Sequence, residues 1–174
     1  MALIESLATG NWSGSEFVGG VVVLVLYVVV GVLASVGSIL VFKRMFLGHW
    51  EQIFWTGFLL AIAAFYLSFA AYYDVEPHAW KTELIGVGIF LGITFGGLFS
   101  RQAVALGYMA HGLWDLLHSL MGTTLAGITL TEIPLGYGVF CATFDFTVTY
   151  YILTSATGWI EQGRFDPFFW RQRA

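Results

Sequence analysis

Long uncharged stretches, separated by short charged ones, make up most of the chain. About 20 apolar residues cross the hydrocarbon core of a bilayer. Five stretches reach that length, the third only when interfacial Trp80 and Thr82 extend it, and the last two contain ionisable residues. The pattern predicts an all-α fold, a single domain over 1–174 with five transmembrane helices, at residues 17–42, 52–73, 82–100, 102–130 and 136–157.

The composition supports a membrane environment. Of the 174 residues, 58% are hydrophobic and 10% are charged, whereas a soluble domain has about 25% charged residues. The formal net charge of -4 and the lack of a basic run argue against a nucleic-acid partner. One cysteine excludes an internal disulfide. The first sixteen residues contain no Lys or Arg, so we expect the first helix to be retained and not to be a cleaved signal peptide.

The distribution of Lys and Arg predicts the topology. Six of the seven fall on one side of the five predicted helices, and only Lys81 falls on the other. The positive-inside rule makes the richer side cytoplasmic, with the N-terminus outside and the C-terminus inside. We expect a multi-pass protein of the bacterial inner membrane, with an interfacial tail over 161–174. The acidic residues and histidine expected in outer loops are Asp74, Glu76, His78, Glu83 and Glu132.

Glycines recur at four-residue spacing in the third predicted helix, at Gly88, Gly92 and Gly96. Such a ridge lets another helix backbone approach closely. Packing inside one bundle is the favoured interpretation, and a homo-oligomer contact through this face is the alternative.

Ionisable residues inside the fourth and fifth predicted helices are candidates for chemistry. His111, Asp115 and His118 lie within about 60° on one helical face. Asp145 is expected at a depth similar to that of Asp115. A charged side chain at mid-membrane costs at least about 2.5–3.5 kcal/mol, so these groups should face the bundle interior and be paired or neutralised.

Imidazole and carboxylate are both metal ligands and acid–base groups. We therefore expect His111, Asp115, His118 and Asp145 to form a catalytic or metal site for a divalent transition metal, with a structural polar network as the alternative. Because His111 and His118 are separated by about 10 Å along the helix, both cannot easily bind one ion. Cys141, one turn before Asp145, is a further candidate ligand, although a buried cysteine more often fills apolar space.

The run from His111 through Trp114 and Asp115 to His118, followed by Cys-Ala-Thr-Phe-Asp over 141–145, resembles a family of small bacterial integral membrane proteins of unknown function. That family has a His-x-x-Trp-Asp-x-x-His-His motif and a later Cys-Ala-x-x-Asp motif. The resemblance assigns no activity but implies importance for the six motif positions, His111, Trp114, Asp115, His118, Cys141 and Asp145. Among these, Trp114 and Cys141 are our candidates for contact with a cofactor. This chain departs from the pattern at Ser119, where a second histidine is usual.

Three functions remain open from the sequence. The first is a membrane protein that binds a metal or a small lipophilic ligand at the His/Asp cluster, whether or not it is an enzyme using proton transfer. The others are a structural subunit of a membrane complex and a proton-linked carrier. No phosphate-binding glycine loop, zincin motif or nucleophile elbow supports the common hydrolase or nucleotide-dependent classes.

Overall fold

A computed structural model describes residues 14–73, 75–120, 124–125, 128–156 and 159. Five helices and one short antiparallel strand pair form in these residues. In chain order the elements are α1 Gly14–Met45, α2 His49–Tyr72, α3 Pro77–Gly97, α4 Arg101–Leu120, β1 Thr124–Leu125, β2 Ile128–Thr129 and α5 Leu135–Thr154. The predicted all-α architecture of five helices is confirmed. The tail expected over 161–174 lies outside the described residues.

Two helix boundaries differ from the predictions for identifiable reasons. α3 begins at Pro77 and not at residue 82, because proline is well suited to the first turn of a helix, where its missing N–H is not needed. α4 ends at Leu120 and not at residue 130. The sequence after it is rich in Gly and Thr, which favour helices poorly, but it is uncharged, so the charge pattern did not reveal the end of the helix.

α4 is the central helix, packed against α2, α3 and α5, and α1 packs mainly against α5. The contacts also give the helix directions. Tyr27 lies against Gly136, and Gly31 lies against the carbonyl of Phe140, so α1 and α5 run in parallel. The order of contacting residues along the other pairs of neighbouring helices gives their directions in the same way. α1, α3 and α5 run in one direction, and α2 and α4 run in the opposite direction.

Close packing of α2 on α4 organises one half of the core. The Tyr108 hydroxyl donates a hydrogen bond of 2.8 Å to the Trp55 carbonyl, and both side chains are fully buried. Leu59 lies against Gly107, where a Cβ atom would collide with it. The absence of a side chain at residue 107 thus lets the two helices approach closely.

In the part of the chain that the structure describes, two helices are long and apolar enough to cross a membrane, Phe17–Met45 and His49–Tyr72. Most large apolar side chains of α1 point away from the protein, as Leu33 does with 65% of its surface exposed. The other three helices each carry ionisable residues on their buried faces.

The glycine ridge of α3 is not used for packing within the described part of the chain. A Cβ atom at Gly88 or Gly92 would meet nothing within 4 Å, and one at Gly96 would meet only Ala103, at 3.7 Å. Packing inside one bundle, the interpretation favoured from the sequence, therefore does not explain Gly88 and Gly92. The homo-oligomer contact stays a prediction.

Candidate metal centre

His111, Asp115 and Asp145 come together where α4 packs on α5. His111 and Asp115 are one turn apart on α4, and the antiparallel α5 brings Asp145 alongside His111. His111 Nδ1 lies 2.7 Å from Asp145 Oδ2 and 3.3 Å from Asp115 Oδ2. All three residues are at most 3% exposed. These residues form the central cluster.

Tyr66, on α2, orients one carboxylate of the central cluster. Its hydroxyl donates a hydrogen bond of 2.6 Å to Asp115 Oδ1, which leaves Asp115 Oδ2 directed toward His111. Outer partners of this kind fix the geometry of ligating carboxylates in metal sites. No sequence pattern indicates Tyr66, because it is 49 residues from Asp115 and only the packing of α2 on α4 reveals the contact.

The donor atoms of the central cluster could hold a small divalent ion if His111 Nδ1 and Asp145 Oδ2, now 2.7 Å apart, moved slightly away from each other. Ligand atoms about 2.1 Å from a tetrahedral ion are spaced about 3.4 Å apart, and the three side chains offer one donor atom each within 4.8 Å of one another. In the described part of the chain, Asp115 Oδ2 and His111 Nε2 have no hydrogen-bond partner. A neutral imidazole and two carboxylates would balance the charge of a divalent ion, which matters because the cluster is buried.

An apolar cavity of about 230 Å³ reaches the central cluster between α2 and α5. Its walls are mostly aromatic, and its polar atoms come from the central cluster, Tyr66, Tyr137 and Cys141. The apolar lining residues are Phe58, Ile62, Phe65, Phe69, Phe140 and Phe144. An apolar cavity with a few convergent polar groups is the usual form of a small-molecule site.

His118 does not join the central cluster, although the sequence analysis grouped it with His111 and Asp115. Its Nε2 lies 3.0 Å from Glu83 Oε1 on α3, and its Nδ1 donates a hydrogen bond of 2.9 Å to the Trp114 carbonyl. The structure thus divides the predicted constellation into two parts. One contains the central cluster, and the other contains His118.

Glu83 is a buried polar residue that the sequence analysis wrongly placed in an outer loop. It lies in the second turn of α3 and is 1% exposed. Its Oε1 lies 3.0 Å from His118 Nε2 and accepts a hydrogen bond from the Thr131 backbone N–H. Two sequence signals could have located it. Pro77 marks the start of a helix, and Glu83 is in helical register with the buried residues Gly86 and Phe90.

Glu51 is also buried, at the start of α2. It accepts hydrogen bonds from the Tyr151 hydroxyl at 2.5 Å and from Trp159 Nε1 at 3.1 Å. Both carboxylate oxygens therefore have partners. Glu51 is remote in sequence from the central cluster and does not line the cavity, which makes it a suitable control position.

The two residues expected to contact a cofactor lie in different surroundings. Cys141 lines the cavity beside the central cluster. Trp114 does not line it: its ring lies against Gly86 of α3, 3.0 Å from the position of a Cβ atom there, and beside the His118 ring. Trp114 therefore acts in packing and in holding His118 through its carbonyl.

The fold and the central cluster define an all-α helical bundle with a buried His/Asp/Asp group that could hold a metal ion. The family model of DUF6010, a family of unknown function, matches residues 15–158, and the chain belongs to this family. No curated protein and no solved structure matches the chain. The function is therefore inferred from the geometry of the site.

Proposed function

We propose that the protein is a multi-pass membrane protein that holds a divalent transition metal with His111, Asp115 and Asp145 and presents it to a small lipophilic molecule in the adjoining cavity. The observation that carries this proposal is the meeting of three metal-ligating side chains at the end of an apolar cavity. Three protein ligands with a position open to a cavity are typical of metal sites that act on a ligand.

The distribution of apolar surface supports the membrane part of the proposal. Exposed Val and Leu residues cover α1, and α3 exposes Leu84, Ile85, Ile89, Leu91 and Phe95. In water, contiguous apolar surface of this extent would favour aggregation, whereas in a bilayer it contacts lipid. The alternating directions of successive helices suit five passes.

The lining of the cavity indicates the chemistry of its ligand. Phenylalanine walls accommodate a flat apolar body, and the lining contains no Lys or Arg that could hold a carboxylate or a phosphate. An apolar cavity of 150 Å³ takes up benzene, so a cavity of about 230 Å³ suits a molecule somewhat larger than one ring. A hydroxyl on that molecule could reach the central cluster, where a carboxylate or His111 would accept its proton. A metal held there would supply a Lewis acid.

Metal content tests the proposal. We expect Asp145→Asn to remove about one equivalent of metal per chain, measured by inductively coupled plasma mass spectrometry in chelator-free detergent. Glu51→Gln, which alters another buried carboxylate, should leave the metal content unchanged. Equal metal content in wild type and Asp145→Asn would contradict the proposal.

Proton transfer without a metal is the second candidate function. The 2.7 Å contact of His111 Nδ1 with Asp145 is a hydrogen bond that can hold a proton between the two groups. A metal-free wild type whose ligand binding is lost in Asp145→Asn would favour this candidate.

A further inference from the structure

A second group of buried polar side chains lies where α3 begins and α4 ends. It consists of Glu83, His118 and Thr131, each at most 1% exposed. His118 Nε2 is 3.0 Å from Glu83 Oε1, and the Thr131 backbone N–H donates a hydrogen bond of 3.1 Å to the same oxygen. We propose that these three residues form a second site for a divalent transition metal, separate from the central cluster.

The hydrogen bond on the other side of the His118 ring fixes the tautomer of the ring. In that tautomer, the nitrogen that faces Glu83 carries a lone pair. A backbone carbonyl can only accept, so the 2.9 Å contact with the Trp114 carbonyl requires a hydrogen on Nδ1. In the neutral imidazole, Nε2 then presents its lone pair to the Glu83 carboxylate. Two acceptors 3.0 Å apart repel unless a cation, either a proton or a metal ion, lies between them.

The remaining polar atoms of the group favour a metal ion over a proton. In the described residues, Glu83 Oε2 and Thr131 Oγ1 are buried without a hydrogen-bond partner. A proton on His118 would leave both atoms unsatisfied, which is unfavourable in a buried site. One metal ion could take His118 Nε2, a Glu83 oxygen and the Thr131 hydroxyl as ligands. This nitrogen and oxygen donor set suits first-row divalent metals.

The surroundings of His118 match those of a ligating histidine. A metal-bound imidazole usually donates its other N–H to a carbonyl or carboxylate, which fixes the tautomer and the orientation of the ring. The Trp114 carbonyl provides this acceptor one turn earlier on α4. Trp114 itself is held by its contact with Gly86 on α3.

The three proposed ligands come from α3, from α4 and from the segment that follows β2. A metal ion there would hold the connection between α4 and α5 against the start of α3 and the end of α4. Leu130 and Ile133, on either side of Thr131, are also buried. The second site is therefore structural, with no cavity-lining residue among its ligands, whereas the central cluster faces the cavity.

The Tyr66 ring lies between the two groups. Its ring centroid is 4.3 Å from the ring centroid of His118, and its hydroxyl donates a hydrogen bond to Asp115. Because the two groups share no ligand residue, each can be removed without altering the ligands of the other.

Metal content separates the two sites. Relative to wild type, we expect Glu83→Gln and Asp145→Asn each to lose one equivalent of metal per chain, and the double variant to lose two. Glu51→Gln is the matched control for loss of a buried carboxylate. If the central cluster binds no metal, wild type and Asp145→Asn will have equal content while Glu83→Gln still loses one equivalent. Equal content in wild type and Glu83→Gln would overturn the second site.

Cobalt binding to Asp145→Asn provides a test in which the second site keeps all its ligands. A loss of metal caused by misfolding of Glu83→Gln cannot affect the result of this test. We expect this variant to bind one equivalent of Co²⁺ with a visible d–d absorption band. No cobalt binding would overturn the proposal and would identify the pair as a protonated His118 hydrogen-bonded to the Glu83 carboxylate.

Discussion

At the level of single side chains, spacing along one helix predicted part of the site and tertiary contacts determined the rest. The four-residue separation of His111 and Asp115 predicted a shared face, and the structure places their side-chain atoms 3.3 Å apart. His118, three residues further on, faces α3 instead. Its partner Glu83 and the partner of Asp115, Tyr66, are distant in sequence, so no local pattern reveals either contact.

Tyr66→Phe tests whether the hydrogen bond to Asp115 supports metal binding. Without the hydroxyl, Asp115 loses the partner that orients its carboxylate, and loss of such an outer partner lowers metal affinity about 10- to 100-fold. Competition with a chromophoric chelator measures the affinity. Tyr72→Phe, on the same helix but 80% exposed, is the control. An unchanged affinity in Tyr66→Phe would show that Asp115 is oriented by other contacts.

At the level of helices, the uncharged runs predicted how many helices there are but did not predict how they pack. Close contact of α1 with α5 depends on Gly31, where a Cβ atom would lie 2.8 Å from the Phe140 carbonyl oxygen. The run over 17–42 contains several glycines, and its apolar pattern does not distinguish those at a helix contact from those on the outer surface.

Gly31→Ala should therefore destabilise the protein, by about 1–3 kcal/mol, because the added methyl group meets backbone that must move. Gly37→Ala, on the same helix with nothing within 4 Å, should be neutral or slightly stabilising. Unfolding in detergent, followed by tryptophan fluorescence, compares the two. Equal effects would show that α1 does not pack on α5 at Gly31.

The cavity between α2 and α5 gives a prediction about ligand binding. Cys141→Phe adds a ring within the cavity beside the central cluster, so it should abolish binding of a small aromatic alcohol such as 2-naphthol while metal content stays the same. Leu153→Phe, at an exposed position of the same helix, should bind 2-naphthol like wild type. Fluorescence titration with 2-naphthol measures both. Unaltered binding in Cys141→Phe would place the ligand elsewhere.

For the whole molecule, the positions of Lys and Arg predict its orientation in the membrane. Lys43 and Arg44 end α1, and Arg101 begins α4, so these cations lie at the same end of the bundle as the α2 start and the α3 end. At that end Lys43 also lies over the Tyr151 ring, 5.5 Å from its centroid. We expect this end to be cytoplasmic.

Reporter fusions test that orientation. Green fluorescent protein joined after Ala174 should fluoresce, and alkaline phosphatase at the same point should be inactive, because the C-terminus is expected inside. Fusions at Glu76, between α2 and α3, should give the reverse pattern and serve as the internal control. Active phosphatase after Ala174 would reverse the proposed topology.

The most direct measurement of the central cluster is X-ray absorption fine structure on the Glu83→Gln variant loaded with zinc, so that the second site does not contribute. We predict nitrogen and oxygen ligands at about 2.0–2.1 Å, with multiple-scattering features of one imidazole. Absence of bound zinc, or a first shell with sulfur at about 2.3 Å, would contradict binding by His111, Asp115 and Asp145.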